Sequence, residues 1–371
     1  MTRIAERWFR LRDRLLASPR FQRWAARFPL TRFVARRRAT AVFDLCAGFV
    51  YSQVLYAAVR LQLLEALARG PKALTELAQQ LALQPEAVAR LLDATTSLKL
   101  TQRRGPGRYG LGIHGAALLG NPAVTLMVEH HALFYRDLAD PLALLRGEQG
   151  ETELSRFWSY AGQRRSPSPS AAQVAEYSVL MASSLSLIAE DIIEAYPLER
   201  HQHLLDVGGG EGAFVEAAAN RVPKLSLALF DLPPVANRAQ ARMTRAGLAD
   251  RVTVFGGDVF RDPLPEGADV VSLVRVLHDH DDAQALHILQ RVRRALRPGA
   301  VLLIAEPMAG TAGAEPMGDA YFGFYLLAMG QGRPRTPDHM SALLRAAGFA
   351  RVRSRSTRRP ILTRLLVADA A

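Results

Sequence analysis

The hydrophobic pattern of the chain changes its period near residue 203. Before that point, apolar residues recur at intervals of three and four, which is typical of amphipathic helices. After it, short aliphatic runs alternate with stretches of helical period, and this alternation predicts a parallel sheet with helices on both faces. Five parallel strands are expected, at residues 204–207, 225–230, 252–255, 270–274 and 301–304.

The last part of the chain has a different pattern. Two further strands are expected at 350–356 and 361–368, and only residues 357–360 separate them. This link is too short for a crossover helix, so the two strands must pair antiparallel. The sequence therefore predicts an α/β domain over 199–371, in which five parallel strands are closed by an antiparallel hairpin.

Residues 45–118 predict a small helical domain with a two-stranded wing. Helices are expected at 45–68, 75–81 and 85–98, and the wing at 100–111, around a Gly-Pro-Gly turn. This order is typical of a winged helix, a common DNA-binding module. The second helix of the pair and the residue after it offer only Arg90 and Lys99 as cations. Because phosphate contacts need more basic residues, a dimerisation module is favoured over nucleic-acid binding.

A mostly helical connecting region is expected over 119–198, where it contributes to a substrate pocket. It contains a polar, proline-rich loop at 164–170 and a strong helix at 171–196 that leads into the last domain.

Residues 1–44 form a basic arm. Its first 40 residues predict two short amphipathic helices, on which arginines accompany tryptophan and phenylalanine, and they contain twelve arginines against two acidic residues. Such a pattern suits an anionic membrane surface. Packing of the arm on the rest of the protein and binding of nucleic acid are the open alternatives.

Composition narrows the class of protein. The 371 residues suggest two or three domains, and 49% hydrophobic with 22% charged residues is ordinary globular usage. The single cysteine, Cys46, excludes an internal disulfide framework and a cysteine-rich zinc site. No metal is expected. No signal peptide is recognisable, and the longest uncharged run, 109–128, is broken by glycines. A soluble or peripheral protein is therefore expected.

The first predicted strand of the sheet ends in a glycine-rich loop. Residues 206–212 read DVGGGEG and precede a helix. Glycines permit a tight turn and a close approach of a ligand to the backbone, and the helix start offers unpaired N–H groups. Taken alone, the loop also satisfies a dinucleotide fingerprint.

The residues after the next two strands favour one class of nucleoside cofactor. Asp231 follows the second strand, where a carboxylate can bind both ribose hydroxyls, although it could also cap the next helix. The sequence after the third strand offers a carboxylate beside apolar residues, Asp258, Val259 and Phe260, which suits an adenine. A dinucleotide would require a second nucleotide-binding half that the remaining strands do not supply. S-adenosylmethionine is therefore favoured over NAD.

The combined motifs resemble the plant and bacterial small-molecule O-methyltransferases, which include the caffeate and acetylserotonin types. The resemblance rests on the glycine loop and on the segments GGDVF, VRVLHDHDD, LLIAEP and GRPRT. It implies a class I methyltransferase domain with a Rossmann-like sheet, a winged-helix-like dimerisation domain, a homodimer, and S-adenosylmethionine as methyl donor.

The resemblance also implies roles for particular residues. Gly208, Asp231, Asp258 with its two apolar neighbours, and Arg275 would contact the cofactor. His278 would be the general base and Glu306 would flank it. Met181, Tyr325 and Met329 would line the acceptor pocket; a plain core helix explains the last two about equally well.

Within that family, AGFVYSQVLYAAVRLQL and YFGFYLLAMGQGRPRT resemble the bacterial carotenoid hydroxyl methyltransferases of the demethylspheroidene type. This branch implies a tertiary hydroxyl of an acyclic carotenoid as acceptor; a phenol, polyketide or tetrapyrrole is the alternative. The enzyme would be cytoplasmic, with residues 1–40 as a possible peripheral membrane contact.

Two departures from the family's pattern concern the base. His280 stands where the family has tryptophan, and Pro334 stands where a second glutamate is common. The task of orienting His278 must then fall to Glu306 or to Asp279.

Overall fold

The structure, a computed structural model, describes residues 3–158, 185 and 188–370. Contacts divide the chain into two compact units, 1–120 and 121–371. Each unit has its own hydrophobic core.

The first unit is mainly helical. Its helices are α1 Arg3–Ala17, α2 Pro19–Arg27, α3 Arg32–Arg60, α4 Leu63–Ala68, α5 Leu74–Leu81, α6 Pro85–Ser97 and α7 Ile113–Leu119. Its three strands are β1 Lys72–Ala73, β2 Thr101–Arg103 and β3 Arg108–Leu111, paired antiparallel in the order β1-β3-β2. The wing is therefore present, with β1 as a third strand that the sequence analysis did not predict.

Helix α3 differs from its expected form. We expected one helix over 45–68, but α3 begins at Arg32 and ends at Arg60. Neither proline nor glycine occurs between Thr31 and Gly48, so nothing stops the helix from starting early. Gln62 has a positive φ of 53°, which separates α3 from α4. The domain boundary expected at residue 44 thus falls inside α3.

Much of α3 is exposed. Val42, Phe43, Leu45 and Phe49 expose 61 to 85% of their surface. By length and composition, α3 is the one helix among the described residues that could cross a membrane. Helices that are covered by other parts of a protein meet the same criterion, so this observation alone does not show what covers the exposed face of α3.

The second unit is built around a seven-stranded sheet. Its strands are β4 His203–Val207, β5 Ser226–Asp231, β6 Val252–Gly256, β7 Val270–Val274, β8 Val301–Glu306, β9 Phe349–Arg355 and β10 Arg364–Ala370. The order is β6-β5-β4-β7-β8-β10-β9, with the first five strands parallel and β10 antiparallel to both neighbours. The predicted α/β fold class is confirmed.

Some helices of the second unit cover both faces of this sheet, and others form a separate helical group. They are α8 Pro122–Asp137, α9 Pro141–Arg146, α10 Glu153–Phe157, α11 over residues 188–195, α12 Ala213–Arg221, α13 Pro233–Arg245, α14 Asp282–Ala295, α15 Phe322–Met329 and α16 Pro337–Ala346. A π-helical turn, Pro316–Tyr321, precedes α15. Most of the expected helix at 171–196, and the loop at 164–170, lie outside the described residues.

Strand β4 shows why the sheet folds as it does. Leu204 packs into the core on one face, and Leu205 and Val207 pack into the core on the other. Because both faces are covered by helices, the four residues from Leu204 to Val207 are all buried rather than alternately buried and exposed. The side chain that ends such a strand is then presented at the carboxyl edge of the sheet.

Candidate active site

The residues predicted to bind the cofactor and to act as the base converge on the carboxyl edge of the parallel strands. Asp231 and Glu306 are the last residues of β5 and β8, and Arg275 directly follows β7. The strand order reverses at β4, which lies between β5 and β7. Open α/β sheets bind ligands in the crevice at such a reversal.

The glycine-rich loop has a backbone that requires glycine. Gly208 has a φ of +69°, and a Cβ added there would lie 2.7 Å from Val276 Cγ2. Gly210 has a φ of +58°, but a Cβ there would meet no atom within 4 Å. The first glycine therefore allows close packing against the β7 loop, whereas the second borders open space.

Two carboxylates lie beneath this loop. Ser272 Oγ donates to Asp206 Oδ1 at 2.6 Å, while Asp206 Oδ2 is buried with no hydrogen-bond partner among the described residues. Burial raises the pKa of Asp206 to about 7. Asp231 accepts from the backbone N–H groups of Gly210 and Leu232, each at 2.7 Å. Burial also raises the pKa of Asp231, to about 6, against the lowering effect of these two bonds.

The loop after β6 is held by its own carboxylates. Asp258 Oδ1 accepts from the backbone N–H of Phe260 at 2.8 Å, and the backbone N–H of Asp258 donates to Asp262 Oδ2 at 2.7 Å. Val259 and Phe260 are half-buried against the core. The ring of Phe260 meets His280 edge-on, with centroids 5.3 Å apart. The loop thus presents one carboxylate beside apolar surface, and its contact with an adenine stays a prediction.

The imidazole of His278 lies between two carboxylates. His278 is 5% exposed, in a 3-10 turn that follows β7. Its Nε2 lies 3.1 Å from Asp279 Oδ1, and its Nδ1 lies 3.8 Å from Glu306 Oε1. Burial by itself would lower the pKa of His278, but the negative charges of Asp279 and Glu306 outweigh it and raise the pKa above its usual value. A proton taken up here is therefore stabilised.

Glu306 fixes the backbone that carries this histidine. Its Oε1 accepts from the N–H groups of Leu277, at 2.5 Å, and of His278, at 3.2 Å. Arg275 has a φ of +57°, and its N–H donates to Ala305 O at 2.9 Å. The charge of Arg275 acts against the two carboxylates by lowering the pKa of His278.

The GRPRT segment clamps the same turn, a role that the sequence analysis did not assign. A Cβ on Gly332 would collide with the carbonyl oxygen of His278, and the N–H of Arg333 donates to that oxygen at 2.9 Å. Arg335 is 2% exposed and donates to Leu277 O at 2.6 Å, His280 O at 2.7 Å and Asp282 Oδ1 at 2.8 Å. No periodicity marks an arginine as buried, so only the contacts reveal it.

We expect Arg335→Met to destabilise the protein by about 3–5 kcal/mol, because it leaves two buried carbonyl groups and Asp282 without their donor. The matched control is Arg333→Met. The Arg333 side chain is 56% exposed and contacts the same Asp282 at 3.5 Å, so its loss should cost less than about 1 kcal/mol. Urea unfolding of both variants measures the difference. Equal costs would show that Arg335 does not brace the turn.

The aromatic segment before GRPRT reaches His278 through Phe322, whose ring centroid lies 5.9 Å from that of the imidazole. Tyr325 and Met329 are buried in a cluster formed by α8, α9, α10 and α15. The hydroxyl of Tyr325 lies 2.6 Å from His130 Nε2 and accepts from Trp158 Nε1 at 3.0 Å. Burial lowers the pKa of His130 to about 4, so this histidine is neutral. Pocket lining by Tyr325 and Met329 stays a prediction, and Met181 lies outside the described residues.

The residues present fit S-adenosylmethionine. The carboxylate of Asp231, the open space at Gly210 and the unpartnered Oδ2 of Asp206 lie around one loop at the carboxyl edge. Asp258 and Phe260 lie on the loop that follows β6, at the same edge of the sheet. Within the described residues, no group of three or more histidine, cysteine, aspartate or glutamate side chains is arranged to hold a metal ion.

Two family models match the chain. The O-methyltransferase domain matches residues 135–350, and the O-methyltransferase dimerisation domain matches residues 43–121. The first match lies wholly within the second compact unit, and the second match ends within one residue of the boundary between the units.

Among curated proteins, the chain is similar to two bacterial demethylspheroidene O-methyltransferases. The one from Cereibacter sphaeroides is 45% identical over 97% of this chain and 94% of its own length. The one from Rhodobacter capsulatus is 40% identical over 96% of this chain and 88% of its own length. Among solved structures, human N-acetylserotonin methyltransferase in complex with SAM has the same fold. It has a TM-score of 0.74 and 24% identity, covering 90% of this chain and 97% of its own.

Proposed function

We propose that this chain, which belongs to the O-methyltransferase family, methylates a tertiary hydroxyl group of an acyclic carotenoid, with S-adenosylmethionine as donor. The observation that carries the choice of acceptor is the 45% identity to a demethylspheroidene O-methyltransferase along nearly the whole chain. Such a hydroxyl stands on a long apolar molecule, so the acceptor is an apolar small molecule.

The donor would be held by Gly208, Asp231, Asp258 with Val259 and Phe260, and Arg275. When bound, S-adenosylmethionine supplies a methyl group on a sulfonium, which needs no further activation. The carboxylate of Asp231 keeps free lone pairs for ribose hydroxyls while it holds the loop through Gly210. The loop after β6 would cover the adenine with its carboxylate and its apolar side chains.

His278 would accept the proton of the acceptor hydroxyl. The Nε2 atom of His278 lies 3.1 Å from Asp279 Oδ1, and its buried Nδ1 atom lies 3.8 Å from Glu306 Oε1, so both ring nitrogens face carboxylates. Asp279 and Glu306 flank the ring and stabilise the imidazolium that forms. Either carboxylate can thus do the orienting that Pro334 cannot.

The identity of the acceptor decides the timing of proton removal. A phenol near pKa 10 lies about 3.5 units above an ordinary histidine, a gap of roughly 5 kcal/mol. An aliphatic alcohol is about as weak an acid as water, so its pKa lies about 9.5 units above that of the histidine, a gap of roughly 13 kcal/mol. Prior deprotonation of a tertiary alcohol is therefore too costly. We expect the proton to leave as the methyl group transfers, with positioning supplying much of the rate.

The protein would act as a homodimer in the cytoplasm, against the inner face of the membrane that holds its acceptor. The dimerisation domain over 43–121 supports the first part of this proposal. The partner subunit of such a dimer would also cover the exposed apolar side chains near the start of that range, such as Phe43, Leu45 and Phe49.

The purified protein tests the acceptor directly. Radiolabelled S-adenosylmethionine is supplied with either a detergent-dispersed acyclic carotenoid that bears a tertiary hydroxyl or a simple phenol. We expect label transfer to the carotenoid and at least tenfold slower transfer to the phenol. Faster transfer to the phenol would leave the family assignment intact and reject the carotenoid.

A further inference from the structure

The described part of the N-terminal arm that precedes the dimerisation domain, residues 3–42, presents large apolar side chains to solvent. Helix α1 has no buried residue, and α2 has only Ala25. The exposed fraction is 80% for Ile4, 59% for Trp8 and 72% for Phe33. The arm precedes the matched dimerisation domain, which begins at residue 43. Among the described residues these side chains are therefore left exposed, and the matched domain model does not extend to them.

Arginines accompany these apolar side chains along the whole arm. It holds twelve arginines, and its two acidic residues are Glu6 and Asp13. Among the described contacts, Glu6 pairs with Arg10 at 3.1 Å and Asp13 pairs with Arg12 at 2.7 Å, and both pairs are exposed. Twelve arginines against two carboxylates still leave the arm with a net charge of +10. The arm is therefore strongly positive as well as apolar.

Helix α2 arranges both features around one groove. This open surface groove of about 540 Å³ is lined by Arg20, Arg23, Trp24, Arg27, Phe28 and Pro29. The arginines recur at i, i+3 and i+7, so they share one face of the helix. The rings of Trp24 and Phe28 stack with centroids 5.1 Å apart. The groove thus offers several guanidinium groups beside a flat aromatic surface.

We propose that α1, α2 and the first turns of α3 bind the surface of a bilayer that contains anionic lipids. Aromatic and aliphatic side chains enter the boundary between headgroups and acyl chains, while arginines contact lipid phosphates. A second copy of the arm carries the same positive charge and is repelled. Nucleic acid would match the arginines but would leave the tryptophan, phenylalanine and isoleucine side chains in water.

Vesicle flotation of the full-length protein tests this surface. The probes are vesicles of phosphatidylcholine with one third phosphatidylglycerol, and vesicles of phosphatidylcholine alone. We expect the protein to float with the anionic vesicles and not with the neutral ones. Added salt should weaken this binding because it screens the charges. The emission of Trp8 and Trp24 should shift to the blue with the anionic vesicles, measured in a Trp158→Phe background.

A charge-matched pair of variants locates the contact. Each basic residue near an anionic surface strengthens binding about fivefold, so replacing Arg20, Arg23 and Arg27 together by glutamine should weaken the partition coefficient about 100-fold. The same three positions changed to lysine keep the charge and should stay within about fivefold of the parent protein. Should the glutamine variant unfold, the salt dependence and the tryptophan emission of the parent protein decide the question.

Three outcomes would overturn the proposal. One is equal flotation with neutral and anionic vesicles, and another is binding to duplex DNA without flotation. The third is a change of oligomeric state in the glutamine variant with no loss of flotation. None of these outcomes touches the methyl transfer assay, so the proposed reaction stands or falls separately.

Discussion

Replacing His278 by alanine is expected to lower kcat by a factor of about 10²–10⁴, the usual contribution of a general base. The affinity for S-adenosylhomocysteine should change less than about threefold, because the donor would be held by other residues. Calorimetric titration measures that affinity, and single-turnover transfer measures the chemical step. The two readouts separate a lost base from a collapsed site.

The matched control for this variant is His339→Ala. His339 is a partly exposed histidine on α16, and its Nε2 lies 3.2 Å from Asp282 Oδ2. It has no contact with the proposed reacting groups, so its loss should leave kcat within about twofold. Transfer that persists in His278→Ala at the rate of the control would remove His278 as the base.

The pH profile follows from the same geometry. His278 accepts a proton only when it is neutral, so kcat/KM should fall as the pH drops through its pKa, which lies above the usual value of a histidine. Asp279 and Glu306 both raise this pKa. Asp279→Asn and Glu306→Gln should therefore each move the acidic limb of the profile to lower pH. A limb that stays in place in both variants would mean that another group titrates.

The elements that the sequence predicted well are those whose pattern is local. All seven strands of the second unit lie within a few residues of their predicted positions, because buried aliphatic runs between helical segments have few other interpretations. The hairpin at the end was predictable from the length of its link alone. Strand β1, Lys72–Ala73, was missed because two residues carry no period.

The residues of the site likewise fall into those that a local pattern predicts and those that only the fold reveals. The glycines and carboxylates that end strands are visible in sequence, since the carboxyl edge of a parallel sheet collects them. Arg335, Ser272 and His130 were not assigned, although each is buried and hydrogen-bonded. Their partners lie 58, 66 and 195 residues away, so only the fold brings the pairs together.

Asp231→Asn should weaken binding of S-adenosylhomocysteine by about 100-fold. Asp231 accepts two backbone N–H bonds at 2.7 Å, and an amide cannot accept both without pointing its own donor at one of them. It also loses the charge that strengthens bonds to ribose hydroxyls, and bonds to a charged group contribute about 1.5–3 kcal/mol each. Because the base is untouched, kcat at saturating donor should fall less than about tenfold.

Dependence on pH gives this prediction a second readout. The pKa of Asp231 is raised to about 6, so the parent protein should bind S-adenosylhomocysteine less tightly as the pH falls through that value and the carboxylate takes up a proton. The asparagine variant cannot titrate there, and its affinity should stay flat across the same range. Asp250→Asn, at an exposed carboxylate before β6, is the control and should match the parent protein. If Asp231→Asn binds S-adenosylhomocysteine as tightly as Asp250→Asn does, the donor's ribose is held by other residues. The cofactor site would then have to be sought away from the end of β5.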